Sequence, residues 1–164
     1  MEYRDLYDEN KKLTGDKIKK ENKIPGGKYY LTVIVFIENK NNEFLLQINK
    51  KFNLWSTTGG HPKSGKSSLE GIKTECYEEL GLDIDLKEFN LFKTIKTEDD
   101  FVDLYYVKKD IDLKKIKKEN KEVEDVKWFS KKQITNLIKK GKLLPSHIAF
   151  YLDCLNYLKQ TDNN

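Results

Sequence analysis

The segment Tyr30 to Ile37 (Tyr-Leu-Thr-Val-Ile-Val-Phe-Ile) is rich in β-branched residues and apolar on both faces. A strand with one wet face alternates apolar and polar residues. A run without that alternation has to be covered from both sides. This one segment therefore requires a central strand in a sheet with a packed layer on each face.

The rest of the pattern can supply those layers. Residues 3–7 and 14–18 flank the turn-rich Asp8-Glu9-Asn10-Lys11, so an N-terminal hairpin is expected over about 3–18. Pro25-Gly26-Gly27 breaks the chain. After a turn at Asn39-Lys40-Asn41-Asn42, Glu43 to Asn49 reads as a strand pairing with the central one as a hairpin. Leu54 to Thr58 is a short extended piece ending at Gly59-Gly60, and further strands are expected at about 89–97, 101–108 and 123–129. Ser67 with Glu70 is a capping box that opens a helix to Leu80, with Gly81 as its stop. Ser130 with Gln133 opens a second helix ending at Gly141. Pro145-Ser146 starts a third, to about Lys159, with Ile148, Leu152, Leu155 and Leu158 on one stripe. Strands before, between and after helices predict an α/β or α+β sandwich with a mixed sheet covered on both faces.

With 164 residues, one domain over 1–164 is the expectation, large enough to bury a core without staples. Acidic and basic residues nearly balance, leaving a net charge of +4, which does not argue for a nucleic-acid partner. Met1-Glu2-Tyr3-Arg4-Asp5 carries no apolar leader, and the longest apolar run, Tyr29 to Ile37, is far below the roughly 20 residues a bilayer needs, so no membrane partner is expected. Cys76 and Cys154 cannot build a disulfide framework, which suits a reducing cytoplasm. His61 and His147 have no metal-ligand spacing for structural zinc.

Chemistry concentrates between Gly59 and Leu82. Glu75, Glu78 and Glu79 stand at i, i+3 and i+4, which puts three carboxylates on one helix face with Cβ atoms about 5–6 Å apart. Leu69, Ile72, Cys76 and Leu80 fall on the other face. Like charges at this spacing weaken a helix by roughly 0.2–0.5 kcal/mol per pair, and the last turn is where the helix dipole disfavours anions. A divalent cation reverses both penalties, and carboxylate with carbonyl oxygen suits Mg²⁺ or Mn²⁺. Taken bare, Glu-x-x-Glu-Glu is also compatible with a solvated face. The glycines, the cap and the Gly81-Leu82 ending tip the balance.

At this point the sequence resembles the Nudix hydrolase family, whose box is G-x5-E-x7-R-E-U-x-E-E-x-G-U, with U a bulky aliphatic residue. Gly60, Glu75, Glu78, Glu79, Gly81 and Leu82 match it over 60–82, and Cys76 takes the aliphatic position. The flanks are similar too: Trp55 and Thr57-Thr58 before Gly59-Gly60, and Val126 to Ser130 opening a late helix. The hairpin Tyr3 to Asn10 resembles the subgroup related to isopentenyl-diphosphate isomerase. The resemblance implies a Nudix-type α/β/α sandwich that hydrolyses a nucleoside diphosphate linked to a further group, or a related small-molecule diphosphate, as a monomer or homodimer. It implies Mg²⁺ or Mn²⁺ held by Glu75 and Glu79, Glu78 as ligand or proton acceptor, and Gly60 through its carbonyl. A loop Glu near the last strand can act as base or extra ligand in this family. Among Glu119, Glu122 and Glu124, Glu122 at the loop–strand junction is the choice, with a solvated carboxylate as the alternative.

Two positions depart from the box. Lys66 stands for the first Glu and Thr74 for the Arg, which in the family holds a box carboxylate in place. At ~6 Å and an effective dielectric of ~20, the Lys66 charge is worth about 3 kcal/mol against a bound cation. Lys66 is thus expected either to damage a metal site or to hold a substrate phosphate. A degenerate domain that binds a nucleotide without cleaving it is the rival reading. Isomerisation of isopentenyl diphosphate is a second rival. It needs a catalytic Cys, whereas Cys76 sits on the core face and no Cys motif lies upstream. His61, next to Gly60, is within reach of a substrate, although a lone loop His is more often simply exposed. His147 and Cys154 belong to the last helix and read as structural. Lys114 to Lys118 reads as a solvated loop before a phosphate or nucleic-acid patch, and Tyr29, Trp55 and Phe101 as core aromatics before base-stacking platforms.

Overall fold

The computed structural model describes residues 2–117 and 123–162. Among the described residues, nine strands and three α-helices follow in chain order: β1 (Tyr3–Tyr7), β2 (Leu13–Lys19), β3 (Tyr30–Glu38), β4 (Phe44–Asn49), β5 (Leu54–Ser56), β6 (Gly59–Gly60), α1 (Ser68–Leu80), β7 (Asn90–Lys96), β8 (Asp100–Lys108), β9 (Val123–Phe129), α2 (Lys131–Lys139) and α3 (Pro145–Asp162). β1 and β2 pair as the expected hairpin.

β3 is the centre of a mixed sheet. It runs parallel to β8 over its whole length, from Tyr30 opposite Asp100 to Glu38 opposite Lys108, and β7 pairs antiparallel on the far side of β8. The expected hairpin between β3 and β4 is reduced to one pair, Glu38 opposite Phe44. The segment leading to the box wedges the two strands apart. Its first half, β5, pairs with β4, and its second half, β6, pairs with β3 at Val33 and Ile34. Thr57 donates its hydroxyl to the Val35 carbonyl, and Val35 N–H donates to Thr58 O at 3.0 Å. The other edge of β4 pairs antiparallel with β9.

Alternation along β3 divides the core. Leu31, Val33, Val35 and Ile37 face one way and pack with Ile72, Cys76 and Leu80 of α1. Ile34 and Phe36 face the other way, onto Ile134 of α2 and Tyr151 and Cys154 of α3. The sheet is therefore covered on both faces. Each fully buried aliphatic side chain adds roughly 1.5–3 kcal/mol to that packing. The stripe expected on α3 is rotated: His147, Tyr151 and Cys154 are its buried line, and Leu152 is 51% exposed. An i, i+4, i+7 line through 147 leaves 152 about 130° off its centre.

The hairpin lies over the box loop. Tyr7 and Tyr29 exchange backbone bonds of 2.8 and 3.0 Å, and Ser64 N–H donates to Tyr3 O at 2.8 Å. Asp5 accepts from Ser64 Oγ at 2.5 Å and from Gly65 N–H at 2.9 Å. Beneath the hairpin's turn, fully buried Asp103 takes both of its carboxylate contacts from Lys11 Nζ at 2.8 Å, plus hydroxyls of Ser68 and Thr94 at 2.6 Å.

Candidate active site

α1 sets the spacing of the acidic residues. Ser67 caps it reciprocally with Glu70, and Gly81 ends it at φ 67°, a left-handed conformation that favours glycine. Ile72, Cys76 and Leu80 anchor one face in the core, with Glu75 and Glu79 half-buried along its flank and Glu78 exposed beyond them. Gly71 lets Pro62 of the preceding loop rest on the helix, since a β-carbon there would come within 2.4 Å of Pro62 Cγ.

Facing the acidic residues is the bare backbone of β6. A β-carbon on Gly59 would stand 2.5 Å from the Val33 carbonyl oxygen and from Ile34 Cδ1. One on Gly60 would stand 2.5 Å from the carboxyl carbon of Glu75. Glu79 Oε2 accepts from Gly59 N–H at 3.3 Å and from Gln47 Nε2 at 3.4 Å. Gln47 is in turn held by Thr58, whose hydroxyl donates to its Oε1 at 3.1 Å. Glu78, more exposed, turns to Lys63 at 3.8 Å.

Burial, with the charge of Glu78 beside it, raises the Glu75 carboxyl to about 7 from an ordinary 4.5. Near neutral pH this group shares its time between acid and carboxylate, and a cation would favour the carboxylate. The donors are hard oxygens of the kind Mg²⁺ and Mn²⁺ accept. Among the described residues, no three ligating side chains already meet at one point. Glu79 is drawn toward β6 and Glu78 toward Lys63. A rotamer change of the exposed Glu78 is the movement that would bring it in.

These residues line a cavity of about 320 Å³. Its acidic side is Glu75, Glu78 and Glu79, with Gly59, Gly60 and His61 on the β6 side. The third side comes from the hairpin and the box loop: Glu2, Tyr3, Arg4, Lys20 and Lys63. Sequence reasoning had no signal for the hairpin's contribution, because nothing local says where that hairpin docks. His61 is also more engaged than a loop His would be. Thr32 gives its proton to Asp100 at 2.7 Å and so can only accept from His61 Nδ1, at 3.2 Å. The Leu31 carbonyl, at 3.3 Å, also only accepts. The Nδ1 proton is thereby fixed and Nε2 keeps its lone pair. Burial and the Arg4 charge hold this imidazole below its usual pKa.

Other candidates fall elsewhere. Lys66 is exposed and lies outside this cavity, in a neighbouring groove with Thr74, Tyr77 and the outer side of Glu78. Glu78 lines both this groove and the cavity. Cys76 is fully buried, and burial pushes its thiol well above the ordinary range, so it is no nucleophile. Cys154 is buried in the same manner, and His147 is held neutral by burial, down to about 4. Tyr29 packs tilted against Phe101 and Trp55 edge-on against Phe129, as packing aromatics. Glu124 is exposed on β9. Glu119 and Glu122 lie outside the described residues.

Comparison with known proteins agrees with this fold. Residues 28–153 match the family model described as the NUDIX domain, which begins after the hairpin. An uncharacterized Nudix hydrolase of Listeria monocytogenes is 30% identical over 165 positions, covering 97% of this chain and 96% of that protein. Among solved structures, DR0079 from Deinococcus radiodurans superposes with a TM-score of 0.70 at 18% identity, over 87% of this chain and 91% of that one. A bifunctional NMN adenylyltransferase/ADP ribose pyrophosphatase from Francisella tularensis, complexed with AMP and a Mn ion, gives 0.65 at 18% identity, over 87% of this chain and 43% of that one. At such identities the structural likeness speaks for the fold alone. The matched domain, the whole-length relative and a box helix whose carboxylates face a glycine strand place this chain in the Nudix hydrolase family.

Proposed function

We propose that this enzyme hydrolyses the phosphoanhydride bond of a nucleoside diphosphate joined to a second group, or of a related organic diphosphate, with Mg²⁺ or Mn²⁺. The observation that carries the reading is one cavity in which the box carboxylates of α1 face the side-chain-free backbone of Gly59 and Gly60. Glu75 and Glu79 would hold the ion, Gly60 would lend its carbonyl, and Glu78 would leave Lys63 to join as a ligand or to accept a proton. Glu122 is the further proton acceptor in this reading. When bound, the cation neutralises charge on the phosphate oxygens and makes a water molecule easier to ionise.

The chain's own part is positioning. Gln47 and Gly59 N–H aim the Glu79 carboxylate, and the packed face of α1 keeps the spacing of the acidic residues rigid. The degenerate-binder reading weakens because Glu75, Glu78 and Glu79 all line the cavity and the family matched over the domain is one of hydrolases. The isomerase reading weakens because Cys76 is sealed in the core. Two buried thiols suit a cytoplasmic setting, and no described helix is long and apolar enough to cross a membrane.

The test is metal-dependent release of phosphate or a monophosphate from a panel of nucleoside diphosphate derivatives. ADP-ribose belongs on the panel, given the pyrophosphatase activity named for the Francisella protein. Turnover that needs Mg²⁺ or Mn²⁺ and falls at least a hundredfold in Glu79→Gln, about what removal of a charge-stabilising group costs, is the expected result. No turnover on the panel, or full activity in Glu79→Gln, overturns the reading.

A further inference from the structure

The wall that the hairpin and the box loop give the cavity carries three cations, Arg4, Lys20 and Lys63, with one anion, Glu2, among them. Glu2 lies between Lys20 at 3.5 Å and Lys63 at 3.7 Å, all three side chains about half exposed. Arg4 lines the same wall with its guanidinium over the Tyr30 ring, 5.0 Å from the centroid. Its Nη2 donates to Lys20 O at 2.7 Å, whereas its Nε is buried with no hydrogen-bond partner among the described residues. A buried guanidinium N–H without an acceptor is costly, and a phosphate oxygen is the acceptor it matches best.

We propose that Arg4, Lys20 and Lys63 form an anion subsite that takes the second phosphate of the diphosphate, the one not held through the cation, and that Glu2 occupies this subsite in the free enzyme. The identity of the ligand as a diphosphate rests on the hydrolase reading above. The subsite itself rests on the cation geometry. The cavity then has two poles, with one phosphate directed to the acidic wall and its cation and the other to the basic wall. Lys63 joins the poles, because it contacts both Glu2 and Glu78. A phosphate that draws Lys63 to itself also releases Glu78 toward the cation. The hairpin, which precedes the matched family segment, thus becomes a part of substrate recognition.

The experiment measures binding of inorganic pyrophosphate to the full chain at saturating Mg²⁺ by titration calorimetry. The expected result has two opposite signs. Lys20→Ala/Lys63→Ala raises the Kd about tenfold, the product of two exposed ion contacts each worth a few-fold. Glu2→Gln lowers it about twofold to fivefold, because the competing carboxylate is gone. Lys50→Ala/Lys139→Ala, with the same change of charge outside the cavity, leaves it within twofold, and an unchanged thermal midpoint in each variant excludes unfolding as the cause. An equal loss in both lysine pairs overturns the subsite, as does a Glu2→Gln variant that binds no tighter, or a wild type that binds no pyrophosphate. Turnover in Glu79→Gln reports on hydrolysis alone, so the two readings fail separately. Absent turnover with the opposite-signed binding effects keeps the subsite, and normal turnover without them removes it.

Discussion

Gly60 and Glu75 are packed so closely that the carboxylate occupies the place where a side chain on residue 60 would begin, with 2.5 Å between that β-carbon and the carboxyl carbon. Gly59, one residue earlier, is crowded instead by the fixed carbonyl of Val33. The two glycines therefore fail in different ways when replaced. In Gly60→Ala the flexible Glu75 side chain gives way, so the fold should survive with a thermal midpoint near that of the wild type. The carboxylate is displaced, so the Mn²⁺ concentration needed for turnover should rise at least tenfold. In Gly59→Ala the obstacle is backbone of the central strand, and stability should fall by about 1–3 kcal/mol. Thermal melts and metal titrations of the pair distinguish the two effects.

The Glu75 carboxyl also predicts a pH dependence. Its pKa is near 7 in the metal-free fold and near 4.5 when freely hydrated. The native chain thus holds the proton more tightly than the unfolded chain. The stability tied to this proton is fully present below about pH 4.5 and is lost as pH rises through about 7. Melts of metal-free protein from pH 4.5 to 8 should show this decline, and Glu75→Gln should flatten it. Mg²⁺ competes with the proton, so its stabilising effect should grow across the same interval.

Buried Asp103 ties the hairpin turn to the sheet through Lys11, Ser68 and Thr94. Asp103→Asn removes the charge that satisfies these donors. Breaking such a buried pair costs about 3 kcal/mol, and urea denaturation should show a loss of that size. A protease should then cut the 8–12 turn sooner than in the wild type, because Lys11 no longer holds it down.

Lys66→Glu restores the acidic residue of the family box at a position that lies outside the cavity. Turnover and the half-saturating Mg²⁺ concentration should both stay within about twofold, as for ordinary exposed charges. A tenfold gain in metal affinity would show that the Lys66 charge reaches the site after all.

The contrast between Lys66 and Arg4 shows where sequence reading stops. The both-faced β3, the caps of α1 and the shared face of Glu75, Glu78 and Glu79 follow from local periodicity, and each is present. Lys66 lines the groove beside the cavity and not the cavity itself, a placement that spacing along a loop does not reveal. Arg4 and Lys20 carry no local signal of their place in the cavity, because a hairpin's docking depends on Asp5 finding Ser64 and Gly65. The β3–β4 hairpin looked certain from its turn, yet the Thr57–Gly60 segment competes for the same strand edge and wins it. His61 depended on Thr32 and Asp100, which only the parallel register of β3 and β8 brings together.

That register has a consequence for the order of events during synthesis. Tyr30 waits for Asp100 and Glu38 for Lys108. When the box helix leaves the ribosome, the strand that completes its floor has yet to be translated. α1 must then travel with Ile72, Cys76 and Leu80 uncovered on one side until β8 emerges, a long interval for a nascent chain and one suited to a chaperone. A ribosome stalled before residue 100 should therefore display a chain with no working cavity, even though every box residue has already been made.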